Sequence, residues 1–144
     1  MFPLVREAIA RVTLRDWLRF AKRAANPRRT QHEGIIVVVR QPRALPCGLF
    51  VYRRENDLTR GAVLVAEHFV AVDVLDPAPV MAALVAELDT LARRLGCTAI
   101  RAMVLSSHSL VASGLRAAGH RQHGASLWKD VAAAPEDEAP PTTH

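Results

Sequence analysis

The chain has 144 residues, half of them apolar, and a net charge of +5. That is one domain by length, with apolar material for a single packed core. No apolar run approaches the roughly 18–20 residues of a membrane-spanning helix, and Arg6 and Glu7 bring charge in earlier than a secretory leader would. The expectation is a soluble cytoplasmic domain over residues 1–131. Residues 132–144, acidic and proline-rich with no apolar periodicity, are expected to form a disordered tail.

Charge is uneven along the chain. Lys and Arg outnumber Asp and Glu 13 to 5 over residues 1–60, and are outnumbered 6 to 9 over residues 61–144, so the basic character lies in the first part. It could meet nucleic acid, an anionic membrane surface or an acidic partner, or simply form a solvated face; neither an aromatic-interleaved RNA motif nor zinc-finger spacing accompanies it. Cys47 and Cys97 follow no CxxC spacing and lie in or beside apolar segments, which reads as two reduced thiols.

Residues 3–25 read as helix, in two pieces if Thr13 caps the second. Val5, Ile9 and Val12, then Leu14, Trp17, Leu18 and Ala21, mark an apolar stripe. Arg11, Arg15, Arg19 and Arg23 recur every four residues on another face, with Lys22 beside them. Such a face suits an anionic macromolecule; it equally suits a helix packed on a sheet with its charges in water. Residues 26–29 break the helix, and the β-branched run 35–39 is a buried strand. The chain turns at 40–43 into a second strand, 45–53, where Pro46 and Gly48 suit an edge or a bulge. Residues 55–61 lead back antiparallel into a long strand, 61–75, apolar on both alternating faces as a strand covered on both sides must be.

Asp76 then stands where a helix N-cap should and Pro77 at the first helical position. Val80, Met81, Leu84, Val85, Leu88, Leu91, Ala92 and Leu95 follow at spacings of three and four, and Gly96 ends the pattern. A strand over 98–105 completes a strand–helix–strand unit, expected to be parallel and right-handed. Ser106, Ser107 and Ser109 offer N-caps for a helix through Leu110, Val111, Leu115 and Ala118, stopped by Gly119. Residues 121–131, with Leu127, Trp128 and a turn at Gly124, read as a last strand or hairpin.

This order of elements resembles the GNAT N-acetyltransferase superfamily. The resemblance is carried by the long strand leading into 76–96, by residues 91–101, and by the glycine-ended helix over 110–120. It implies an α/β fold with a mixed sheet: antiparallel strands lead into a central strand–helix–parallel strand unit, with helices on both faces. It also implies acyl-CoA-dependent transfer of an acetyl or other acyl group to the amine of an unknown acceptor. The cofactor would lie near Val72, Val74, Asp76, Ala78, Val80 and Met81, and Glu67 would stand about where many members carry a general base. Many members are dimers, so a homodimer is among the assemblies it allows.

The chemistry departs from the family pattern. The family's pyrophosphate loop carries glycines whose backbone N–H groups point into the phosphates; here residues 76–81 contain no glycine, and Pro77 and Pro79 lack N–H groups. The family's acid tyrosine falls on Leu115, the aromatic after the helix glycine is His120, and the one tyrosine, Tyr52, lies on an earlier strand. A carboxyl in an apolar sheet gains the basicity that a proton acceptor near neutral pH needs, and on a regular strand Glu67 would share its face with Asp73. Glu67 could instead pair with an arginine from residues 40–54. The alternative function is therefore a catalytically inactive binding or regulatory module that meets an anionic partner through Arg11, Arg15, Arg19 and Arg23. A metal site built from His68, His108, His120 and His123 lacks convergent spacing, so no metal is expected. A hydrolase built on Ser106, Ser107, Ser109 and His108 lacks the GxSxG turn.

Overall fold

The computed structural model describes residues 2–9, 11–28, 32–73, 75–105, 109–124 and 126–131. In chain order these form α1 (Phe2–Ala8), α2 (Leu14–Ala24), β1 (Glu33–Arg40), β2 (Leu45–Asp57), β3 (Gly61–Ala71), α3 (Ala78–Arg94), β4 (Ala99–Ala102) and α4 (Ser109–Ala117). The strands lie in the order β1-β2-β3-β4. The first three are antiparallel neighbours, and β4 joins β3 in parallel after the α3 crossover. This is the mixed sheet that the strand–helix–strand pattern implied.

Both sheet faces are covered, by different helices. Phe50, Tyr52, Leu64, Ala66 and Phe69 pack under α3 and α4, against Met81, Leu84, Leu88, Leu91, Val111 and Leu115. On the other face Leu49 and Val70 meet Val5 of α1 and Trp17 of α2. Full burial of side chains such as Leu84 and Leu88 stabilises the fold by about 1.5–3 kcal/mol each, which makes the α3 side the main core. Gly48 lets α3 come close: a methyl group there would stand 2.6 Å from Val80 Cγ1 and 3.2 Å from the Val70 carbonyl.

Local signals set the ends of the elements. Thr13 Oγ1 accepts the Asp16 N–H at 3.2 Å, so α2 starts afresh after a break. The β2–β3 turn is held by Asp57, whose Oδ1 accepts from the Thr59 N–H, the Thr59 hydroxyl and the Arg60 N–H at 2.8–3.0 Å. At the end of α3, Gly96 takes φ +65°, and the N–H groups of Gly96 and Cys97 return to the carbonyls of Arg93 and Ala92. The end of α4 repeats this, with Gly119 at φ +94° and the N–H groups of Gly119 and His120 bonded to Arg116 and Leu115.

Seven expectations are corrected. The run 35–39 forms a strand, but at the edge of the sheet and only half-buried, with Val39 42% exposed. Strand β2 runs on to Asp57, so residues 55–57 are strand and not connection. Helix α3 starts at Ala78 with Pro77 at its N-cap position, one residue later than Asp76 suggested. Arg11 lies in the turn before α2, because the Thr13 cap restarts the helix, so the arginine row on α2 begins at Arg15. The central strand ends at Ala71, four residues before Leu75, which is 93% exposed; a last ladder bond joins the Val72 N–H to the Cys47 carbonyl at 2.8 Å. Regular β4 spans Ala99–Ala102, shorter than 98–105. Residues 121–124 and 126–131 form no strand, and Leu127, Trp128 and Val131 are 95%, 85% and 86% exposed. Apolar alternation shows which side chains a strand would bury, but a strand also needs a neighbour for its backbone, and among the described residues none is paired with this segment. The cysteines are free and partly buried. The tail, 132–144, lies outside the described residues.

Candidate functional site

The parallel pair β3–β4 supplies the geometry. Its register runs from Val63 opposite Ala99 to Ala66 opposite Ala102, and the Met103 N–H closes it on the Ala66 carbonyl at 2.8 Å. There β4 ends, while β3 continues to Ala71, still paired with β2 on its other side. The two strands therefore part at their carboxyl ends, the position where open α/β sheets bind ligands.

A bulge marks the parting. Glu67 stands opposite Val51 and Val70 opposite Leu49, so His68 and Phe69 share the space facing Phe50 alone. His68 takes φ +58°, a conformation that costs a non-glycine residue and is met where a strand must be re-aimed. The extra residue reverses the facing pattern: Ala66 and Phe69, three apart, both pack under α3. Glu67 and Asp73 consequently do not share the face that a regular strand would give them. Asp73 instead pairs with Arg40 and accepts the Leu75 N–H at 3.0 Å, which ties down the segment entering α3.

Glu67 points toward α2, with its side chain 23% exposed and Oε1 2.5 Å from Arg53 Nη1. It lines a cavity of about 100 Å³ together with Phe20, Arg23, Glu33, Tyr52 and Arg53. Arg53 Nε also reaches Glu55 Oε1 at 2.5 Å. The Glu55 hydrogen bond foremost, and the Glu67 charge with it, hold the guanidinium ionised even more firmly than usual. Arg101 approaches Glu55 and Asp57 at 3.6 Å each. The pairing of Glu67 with an arginine from residues 40–54 was legible in the sequence, and Arg53 fills it; Glu55, Asp57 and Arg101 were missed, although charges at the alternate positions 53, 55 and 57 signal one polar face of β2. Arg53 and Arg101 flank Val65 in register, and their stems can shield it; Val65 is fully buried. Burial pushes the Tyr52 phenol above its ordinary value.

At the start of α3, Asp76 Oδ1 accepts the Ala78 N–H at 2.9 Å. Of positions 77–80, two are proline and the Ala78 amide is taken, while the Met81 N–H closes the first turn on the Pro77 carbonyl. A diphosphate would meet a carboxylate and few donors, so these residues do not fit the CoA pyrophosphate at the helix terminus. Val72, Asp76 and Ala78 are exposed, whereas Val80 and Met81 are buried in the core; Val74 lies outside the described residues. Leu115, at the tyrosine position, is buried under α3. His120 Nδ1 lies 3.1 Å from the Leu115 carbonyl, and its Nε2 is buried without a hydrogen-bond partner among the described residues.

Of the α2 arginines, Arg23 borders the Glu67 cavity, while Arg15 and Arg19 are not among its lining residues. Arg15, Arg19 and Arg23 are exposed on α2, with the Arg23 guanidinium 6.0 Å from the Phe20 ring centre. Among the described residues no group of three His, Cys, Asp or Glu side chains could hold a metal ion, and no helix is long and apolar enough to cross a membrane. Ser106, Ser107 and His108 lie outside the described residues.

No family model and no curated protein matches the chain. Solved structures do. The aminoglycoside N-acetyltransferase AAC(6')-Iy in complex with CoA aligns with a TM-score of 0.74 at 11% identity, over 91% of this chain and 86% of that one. A transcriptional regulator from Bacillus halodurans aligns at 0.71 with 14% identity, over 87% and 89%. Glucosamine-6-phosphate N-acetyltransferase from Arabidopsis thaliana aligns at 0.69 with 13% identity, over 89% and 86%. Likeness over nearly the whole of each chain at such low identity is likeness of fold: this chain has the fold of the GNAT N-acetyltransferases.

Proposed function

We propose that this protein is a GNAT-fold binding or regulatory module that does not carry acyl-CoA in the manner of that fold's acetyltransferases. The observation that carries the reading is the α3 N-terminus, where Pro77 and Pro79 offer no amide and Asp76 Oδ1 takes that of Ala78 at 2.9 Å. The Arg53 partner of Glu67 and the core position of Leu115 support it. The module would meet an anionic partner through Arg15, Arg19 and Arg23 of α2, with Arg11 in the preceding turn. The alignment with a protein described as a transcriptional regulator is compatible with a regulatory role on this frame.

The parted strands and the bulge at His68 favour a second reading, an acyl-CoA-dependent N-acyltransferase acting on an amine, with Glu67 as general base beside the cavity. Calorimetric titration with acetyl-CoA and then CoA separates the two. The first reading expects no heat and no shift in melting temperature up to millimolar ligand. Micromolar binding would overturn it and make a screen of amine acceptors the next experiment.

A further inference from the structure

Resting on the reading that α2 faces an anionic partner, we propose that this partner is an anionic lipid surface, met by Leu14 and Leu18 set beside Arg15, Arg19 and Lys22. Residues 1–28 contain seven Lys or Arg and two Asp or Glu, a balance of +5 that equals the net charge of the whole chain. The rest of the molecule is therefore neutral in sum. All seven cations, Arg6, Arg11, Arg15, Arg19, Lys22, Arg23 and Arg28, are exposed.

The leucines decide between anionic surfaces. Leu14 and Leu18 are 51% and 56% exposed, although they lie in the helix whose Trp17 and Ala24 are buried on the molecule. At 100° per residue, Arg15, Arg19 and Lys22 fall within about 60° of one another, and Leu14 and Leu18 adjoin them on one flank. A nucleic-acid backbone rewards the cations and offers the leucines little. A lipid surface rewards both, because headgroup phosphates take the guanidinium groups while the acyl boundary takes the leucines. Asp16, the one described acid on the helix, is engaged by the Thr13 hydroxyl at 2.5 Å and sits away from the leucine flank. Docking would be shallow, since the opposite face of α2 stays packed on the sheet.

The test is co-sedimentation of the full chain with vesicles of phosphatidylcholine alone, and of phosphatidylcholine mixed with phosphatidylglycerol. Binding is expected only with the anionic vesicles, weakening about fivefold for each surface cation removed and falling with added salt. Leu14→Ser with Leu18→Ser should weaken it about tenfold, at an unchanged melting temperature because neither side chain is in the core. If the Ser variant binds as well as the parent, or if Leu14 and Leu18 prove by light scattering to join two copies of the chain, the lipid inference falls. Binding to an oligonucleotide duplex that requires Arg15 and Arg19 but not the leucines, with none to vesicles, also overturns it and leaves the anionic-partner reading standing. Loss of both kinds of binding removes that reading too.

Discussion

Single side chains fix how closely the layers approach. Gly48 is the clearest case, because a methyl group there would press on Val80 Cγ1 at 2.6 Å and on Leu84 Cδ1 at 3.1 Å. Gly48→Ala must push α3 off β2, and is expected to cost about 1–3 kcal/mol, read as a lower urea midpoint with an unchanged slope. Asp57 acts differently, through its charge. Its carboxyl is held below the ordinary aspartate value of 3.8, chiefly by the Thr59 N–H and also by the Thr59 hydroxyl and the Arg60 N–H. Asp16 is lowered likewise, first by its hydrogen bond with Thr13. In both cases the unfolded chain takes up the proton more readily, so the contribution to stability is complete above 3.8 and is lost as pH falls through the lower folded value. Asp57→Asn keeps an acceptor oxygen but cannot titrate. Urea unfolding from about pH 5 to pH 2 should therefore show a shallower acid loss in this variant than in the parent.

At the scale of the element, α3 has one well-made end and one unsuited to phosphate. Its C-terminus closes through Gly96 and returns two N–H groups to Ala92 and Arg93, while its N-terminus is completed by the chain's own Asp76. An anion at that end would compete with a carboxylate already in place. Replacing Asp76 by Gln and both Pro77 and Pro79 by Gly removes the charge and supplies amides. On the proposed reading this triple variant should bind CoA measurably by calorimetry where the parent does not, gaining roughly 1.5–3 kcal/mol for each charge-assisted bond formed. A rebuilt terminus that still shows no heat, in a variant that melts as a folded protein, would mean that the opening between β3 and β4 excludes the cofactor by another route. The bulge belongs to this scale as well. Glu67 lies on the α2 side by ordinary alternation with Leu64 and Ala66, and Arg53 meets it there; the bulge at His68, φ +58°, then returns Phe69 to the α3 side beside Phe50, their ring centres 5.5 Å apart.

For the whole molecule, the elements that the sequence determines are those whose causes lie within a few residues of their effects. The β-branched run in β1, the Thr13 cap, the proline-marked start of α3, its helical spacing and its Gly96 stop are of this kind, and the crossover that makes β3 and β4 parallel follows from them. The sequence also showed that residues 76–81 could not form the family's glycine loop. The rest depended on partners distant in the chain. A strand's face is set by its register with its neighbours, and one inserted residue reverses it, so alternation alone placed Glu67 and Asp73 on one face when the bulge opposite Phe50 separates them. An arginine partner for Glu67 from residues 40–54 is legible in the sequence, but that it is Arg53, fourteen positions away, is decided by the β2–β3 ladder. Residues 121–131 carry a strand-like pattern, yet the described ones, 121–124 and 126–131, have no ladder beside them among the described residues. Hydrogen-bond periodicity and capping act along the chain and can be read there, whereas strand pairing and side-chain convergence act between segments and are decided only once the sheet has formed.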